Sequence, residues 1–143
     1  MTSVQIKICG VTNVKDAEAC AELGASMIGF NFYPKSPRYI EPKIARRIIE
    51  AIPSGVCPVG VFVDASAEEI RNIADTTGVR CLQLHGRTSP DTCSELAREF
   101  RVIRAFSTDP QFRPEEVSLF EGSVSAMVWA QFFERPAGAS GLQ

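Results

Sequence analysis

The sequence predicts an α/β fold: an incomplete (β/α)8 TIM barrel of about six parallel strands, with strands seven and eight missing. Three observations carry this expectation. Short apolar runs alternate with segments of helical periodicity along the chain. Helix caps and stops sit at the joints between them. Six such units fit in 143 residues, about three-quarters of an eight-unit barrel, which normally needs at least about 200 residues. Strands that alternate with helices imply right-handed crossovers and therefore a parallel sheet. No linker or low-complexity stretch interrupts the pattern, so residues 1–143 read as a single partial-barrel domain.

The elements follow in order. Val4 to Cys9 alternates apolar and polar residues and reads as the first strand. Asn13 offers an N-cap and Asp16 an acidic N3 residue for a helix that runs through Leu23 and stops at Gly24. Residues 26–32 form a second strand. The run Pro34-Lys35-Ser36-Pro37-Arg38 is a loop, because its two prolines forbid regular pairing. Pro42 opens a second helix with Ile44, Ala45, Ile48, Ile49 and Ile52 at helical spacing. Val59 to Val63 is a third strand. Ser66-Ala67-Glu68-Glu69 is a capping box for a helix that ends at Gly78. Cys81 to His85 is a fourth strand, and Ser89-Pro90 opens a fourth helix. Val102 to Phe106 is a fifth strand, followed by a loop and a short helix near 114–120. Ser125 to Trp129 is a sixth strand, and the tail, with Pro136, Gly138 and Gly141, is loop-like.

Composition narrows the classes of function. The chain is 45% hydrophobic and 22% charged, ordinary for a globular protein. A net charge of -2 gives no basic field for nucleic acid or an anionic membrane. No apolar run reaches the roughly 18 residues of a spanning helix, and no signal peptide is visible at the N-terminus. The five cysteines lack a CxxC pair, which argues against a disulfide framework or a zinc site and for a reducing cytoplasm. Cys20, Cys57, Cys81 and Cys93 read as small packing groups.

Parity then sorts the strand residues. Val4, Ile6 and Ile8 share one face, and Gln5, Lys7 and Cys9 the other. Leu82 and Leu84 oppose Cys81, Gln83 and His85. Helix-facing sides are apolar, so Lys7, Cys9, Gln83, His85 and Arg104 are expected to point inward. Barrel enzymes carry their chemistry at the C-terminal ends of the strands, where Cys9 and His85 fall. In isolation, Cys9 reads as an inert buried thiol, and Arg38 and His85 have the alternatives of a solvated loop residue and a core histidine. Asp64, at the tip of strand three, has no firm role.

Four motifs change that balance: Lys7-Ile8-Cys9-Gly10-Val11-Thr12, Gly29 through Tyr39 with its FYPKSPR core, Gly60-Val61-Phe62-Val63, and Gln83-Leu84-His85-Gly86. In this order and spacing they resemble the phosphoribosylanthranilate isomerase family of tryptophan biosynthesis, over almost the whole chain. The resemblance implies an intramolecular oxidoreductase of the aldose–ketose type. Its reaction is the Amadori rearrangement of N-(5′-phosphoribosyl)anthranilate to 1-(2-carboxyphenylamino)-1-deoxyribulose 5-phosphate. A general acid opens the furanose ring to a Schiff base, and a general base removes the C2 proton. The enolamine then becomes the ketone. No cofactor and no metal is implied. Cys9 is the expected base and Arg38 the clamp for the anthranilate carboxylate, with Gln83, His85 and Lys7 lining the substrate site. Lys7 is also expected to favour the Cys9 thiolate, and the planar fork of Arg38 suits a carboxylate.

The family places an aspartate, its general acid, at the end of strand six. Here Ala130 occupies that position, in a register anchored by Glu134-Arg135 and Gly138-Ala139-Ser140-Gly141. Loss of a general acid costs about 10²–10⁴ in rate. Phosphate is held by loops after strands seven and eight of such barrels, outside these six units. The expected partner is a small-molecule phosphosugar, with no nucleic acid and no membrane. Self-association through open sheet edges is a further expectation. The alternative is a truncated or degenerate chain without activity of its own. A different phosphosugar enzyme on the same barrel is a third reading, against which the FYPKSPR loop argues.

Overall fold

The computed structural model describes residues 3–108 and 110–130. Six parallel strands form one curled half-barrel sheet in the order β1-β2-β3-β4-β5-β6. They are β1 Lys7–Cys9, β2 Met27–Asn31, β3 Cys57–Val63, β4 Cys81–His85, β5 Arg101–Ser107 and β6 Ala126–Ala130. Between them lie α1 Val14–Glu22, α2 Pro42–Ala51, α3 Ala67–Thr77 and α4 Pro90–Leu96, with a 3₁₀ helix at Pro114–Phe120.

Local chemistry explains where the helices begin. Asn13 caps α1 by accepting the Asp16 N–H at 2.8 Å. Ser66 and Glu69 close a reciprocal capping box on α3: Ser66 Oγ accepts the Glu69 N–H, and Glu69 Oε2 accepts the Ser66 N–H. Pro42 and Pro90 occupy the first turns of α2 and α4, where no N–H is needed.

The sheet separates two apolar layers. The larger lies under the helices and contains Ile28, Phe30, Ile48, Ile70, Leu82, Leu84, Leu96 and Val102. A smaller cluster fills the concave side, with Val59, Cys81 and Ile103 at its centre and Met27, Cys57, Ala126 and Val128 against it. Cys93 belongs to the helix-side layer, and Cys20 packs on it.

The open edge expected at strand one is present, while the length of that strand and the direction of Arg104 differ from expectation. Val4, Ile6 and Ile8 are not covered by helix but exposed, Val4 by 84%. Among the described residues β1 pairs only with β2 and is a sheet edge, so its regular ladder also shrinks to Lys7–Cys9. Arg104 does not point inward. It lies on the helix side with Val102 and Phe106 and is 5% exposed. There its guanidinium donates to Leu84 O, Ala105 O and Gly86 O at 2.8, 2.7 and 2.6 Å. It also sits 5.0 Å from the ring centres of Phe106 and Phe120. A buried charge is tolerated because its donors meet carbonyls and aromatic faces.

Candidate functional site

The C-terminal end of β1 turns through a left-handed glycine. Gly10 follows Cys9 with φ +84°, a conformation that disfavours any side chain. Its N–H donates to Gly29 O at 2.9 Å, and the Val11 N–H shares that carbonyl at 3.3 Å. This ties the β1 tip to β2. Gly29 faces Cys9 in register. A Cβ built on Gly29 would stand 2.9 Å from Cys9 Sγ and 3.2 Å from Cys9 Cα. The thiol therefore rests on a floor that only glycine leaves open.

Arg38 reaches the same spot from the loop between β2 and α2. That loop is pinned at both ends. Asn31 Oδ1 accepts the Tyr33 N–H at 2.9 Å, and the Ile40 N–H donates to Asn31 O at 3.0 Å. Within it, Tyr33 O accepts the Ser36 N–H, and Ser36 Oγ accepts the Arg38 N–H at 3.1 Å. The Arg38 side chain then lies over the bare Cα of Gly10, in the space a Cβ there would fill. Cys9 and Arg38 are both exposed, and Arg38 packs on the residue that follows Cys9.

Gln83 and His85 project from β4 on the concave side. Gln83 Nε2 lies 2.8 Å from His85 Nε2. When the amide nitrogen donates, the ring nitrogen must be bare, which requires a neutral imidazole. Burial, with the nearby positive charges of Lys7 and Arg104, pushes the His85 pKa down to about 4. His85 is thus a neutral hydrogen-bonding group at pH 7. Gln83 Oε1 is buried without a partner among the described residues. Lys7 is half-buried, and its charge is felt at His85 and Cys81.

Ala130 ends β6 opposite Ser107 and presents only a methyl group. Glu134 and the 138–141 segment lie outside the described residues. Asp64 is drawn into a turn instead of the concave face: its φ is +52°, and its Oδ1 accepts the Arg87 N–H at 2.6 Å. A cavity of about 520 Å³ lies beside it, lined by Ser66, Arg87 and Ser89 among others. A second, of about 640 Å³, runs from Gly86 to Phe112 and Phe120. Neither is lined by Cys9, Arg38, Gln83 or His85. Among the described residues no group of three or more His, Cys, Asp or Glu could hold a metal ion.

Sequence reasoning missed the residues that build this corner. Gly29 could have been found as a glycine inside a strand, a usual mark of close backbone approach. Asn31 and Ser36 carry the side-chain-to-backbone bonds typical of turns, but no local pattern tells which loop they shape.

The family model for N-(5'phosphoribosyl)anthranilate (PRA) isomerase matches residues 6–139. The chain belongs to this family. It is 47% identical over 102 residues to N-(5'-phosphoribosyl)anthranilate isomerase of Geobacter sp. (strain M21), covering 71% of this chain and 49% of that one. To the enzyme of Gloeothece citriformis it is 37% identical over 141 residues, covering 96% of this chain and 64% of the relative. It thus spans about half to just under two thirds of the curated relatives it matches. The solved phosphoribosyl anthranilate isomerase of Thermus thermophilus superposes with a TM-score of 0.83 at 33% identity, over 98% of this chain and 68% of that one. Another PRA isomerase, solved with reduced 1-(o-carboxyphenylamino)-1-deoxyribulose 5-phosphate, gives a TM-score of 0.82 at 38% identity, over 91% of this chain and 66% of that one. No helix among the described residues is long and apolar enough to cross a membrane.

Proposed function

We propose that this PRA isomerase family member acts on N-(5′-phosphoribosyl)anthranilate as one partial-barrel domain in the cytoplasm. Cys9 is the general base that takes the C2 proton, and Arg38 holds the anthranilate carboxylate. The observation that supports this reading is that Arg38 packs on Gly10, the residue next to Cys9, while the Cys9 thiol packs on Gly29. A thiol has a pKa of about 8.5, which suits a base near neutral pH better than an aliphatic amine does. A planar guanidinium over Gly10 fits a carboxylate on the substrate's rigid ring.

Neutral His85, through its other ring N–H, and the unpartnered Gln83 Oε1 offer a donor and an acceptor toward sugar hydroxyls. Lys7 adds positive charge to the same face. Proton balance then needs a donor for the ring oxygen. Ala130 supplies none, so ring opening falls to solvent or to Lys7, and turnover is expected at about 10²–10⁴ below that of a relative with an acid at this position. Loss of the anthranilate fluorescence on incubation with the substrate tests this. The reading predicts slow turnover that vanishes in Cys9→Ala and rises in Ala130→Asp. Undiminished turnover by Cys9→Ala overturns it.

A second reading rests on the exposed β1 edge. Val4, Ile6 and Ile8 are 84%, 48% and 40% exposed on a strand that pairs only with β2 among the described residues, a template for pairing with another copy. In that reading the lone chain is inactive and its mass in sedimentation velocity rises with concentration. A single monomeric species that turns substrate over excludes it.

A further inference from the structure

Asp64 has no part in the chemistry of Cys9 and Arg38, yet it grips the strand that carries His85. Val63, the last residue of β3, lies opposite His85, the last residue of β4. Asp64 follows Val63 in the left-handed region, with φ +52°, which aspartate tolerates better than most side chains. In that conformation it holds the end of β4 twice. Its N–H donates to His85 O at 3.3 Å, and its Oδ1 accepts the Arg87 N–H at 2.6 Å. The two contacts fall on either side of Gly86, whose φ is +83°. The Asp64 carboxylate fills the space that a Cβ on Gly86 would take. We propose that Asp64 is a positioning residue for His85: by bridging the His85 carbonyl and the Arg87 N–H, it fixes the direction in which the imidazole enters the substrate site. The proposal rests on the reading that His85 lines that site.

The contacts around it show what Asp64 adds. Arg104 holds the Leu84 and Gly86 carbonyls from the helix side at 2.8 and 2.6 Å. As a donor only, it can do nothing for the Arg87 N–H. Gly86 is the residue type with the widest backbone freedom, so the peptide after His85 turns freely unless both of its sides are tied. The imidazole depends on that peptide, because its Nε2 meets Gln83 Nε2 at 2.8 Å. Hydrogen bonds of this kind hold to about 3.2 Å, so a drift of about half an ångström at the ring loosens it. Binding groups need their supports to hold them within about that distance.

The Arg87 N–H requires an acceptor oxygen and not a charge. Asparagine keeps that oxygen and also tolerates a positive φ. Glycine keeps the backbone conformation and removes the acceptor. Lys7 of β1 and Arg104 of β5 act on His85 as charges, and neither variant alters them.

His85 is the only histidine of the chain, so isotope-labelled protein without a histidine tag gives one imidazole in a long-range proton–nitrogen NMR spectrum. In the parent and in Asp64→Asn the ring should be the neutral Nδ1–H form at pH 7. In Asp64→Gly it should exchange between both tautomers, and its pKa should rise from about 4 toward the ordinary 6.5. Asn13→Ala uncaps α1 and loosens the fold without touching β4, and it should leave the ring as in the parent. With substrate, Asp64→Gly should raise KM more than it lowers kcat, and Asp64→Asn should restore both. The NMR spectrum needs no substrate, so it judges Asp64 separately from the assignment of the reaction, which turnover judges. A further measurement needs no variant: the Arg87 amide should exchange slowly with deuterium although Arg87 is exposed. A parent-like ring in Asp64→Gly, a ring disturbed equally in Asp64→Asn, or an Arg87 amide that exchanges as freely as an open loop would each overturn the proposal.

Discussion

Replacing Arg104 with methionine tests whether this charge is a structural clip or part of the substrate site. Methionine keeps most of the buried volume but removes three hydrogen bonds, to Leu84 O, Ala105 O and Gly86 O. Hydrogen bonds from a charged donor contribute about 1.5–3 kcal/mol each, so three give about 4.5 at the low end. Two ring faces, each 5.0 Å away, add about 1 kcal/mol apiece. Against this stands the desolvation of the guanidinium, several kcal/mol, increased by an Nε that has no partner among the described residues. The net loss in Arg104→Met is therefore about 2–3 kcal/mol. In a domain of this size that lowers the thermal midpoint by about 10 °C. Circular dichroism melting at pH 7 reads it directly. A midpoint within about 2 °C of the parent, together with lost substrate binding, would refute the reasoning and return Arg104 to the site.

Three further outcomes follow from the same geometry. Gly29→Ala drives a methyl group against Cys9 Sγ and Cα; turnover should fall on the order of 10²-fold, because misplacement by about 1 Å has that effect, with the melting temperature as a control. For His85, the folded pKa of about 4 lies below its ordinary 6.5, so the unfolded chain binds the proton first. Stability is unaffected above about pH 6.5 and falls as pH drops from there toward 4; His85→Asn should flatten that part of the melting profile. Ser66→Ala removes the α3 cap and should cost about 1 kcal/mol in urea unfolding.

Much of this was legible because local chemistry decided it. The Ser66–Glu69 box and the prolines of α2 and α4 act within one turn, and strand parity needs only alternation. Cys9 and Arg38 were legible as motifs, yet the packing of Cys9 on Gly29 and of Arg38 on Gly10 was not, because the sequence shows the glycines without showing what crosses them. Arg104 was misread because charge was given more weight than parity. It shares its face with Val102 and Phe106, and parity alone would have put it on the helix side. The exposure of Ile6 and Ile8 follows from the count of strands and not from β1 itself: an amphipathic strand reads the same whether or not something covers it.

The order of the sheet repeats the order of the chain: every described strand lies beside the one made just before it. During synthesis, then, each new βα unit finds a finished edge waiting and need not hold that edge open for a distant partner. Loop closure stays short at every step, which favours fast assembly. The ribosome therefore delivers the strands in the order the sheet can accept them, and the growing edge acts as the template for the next addition.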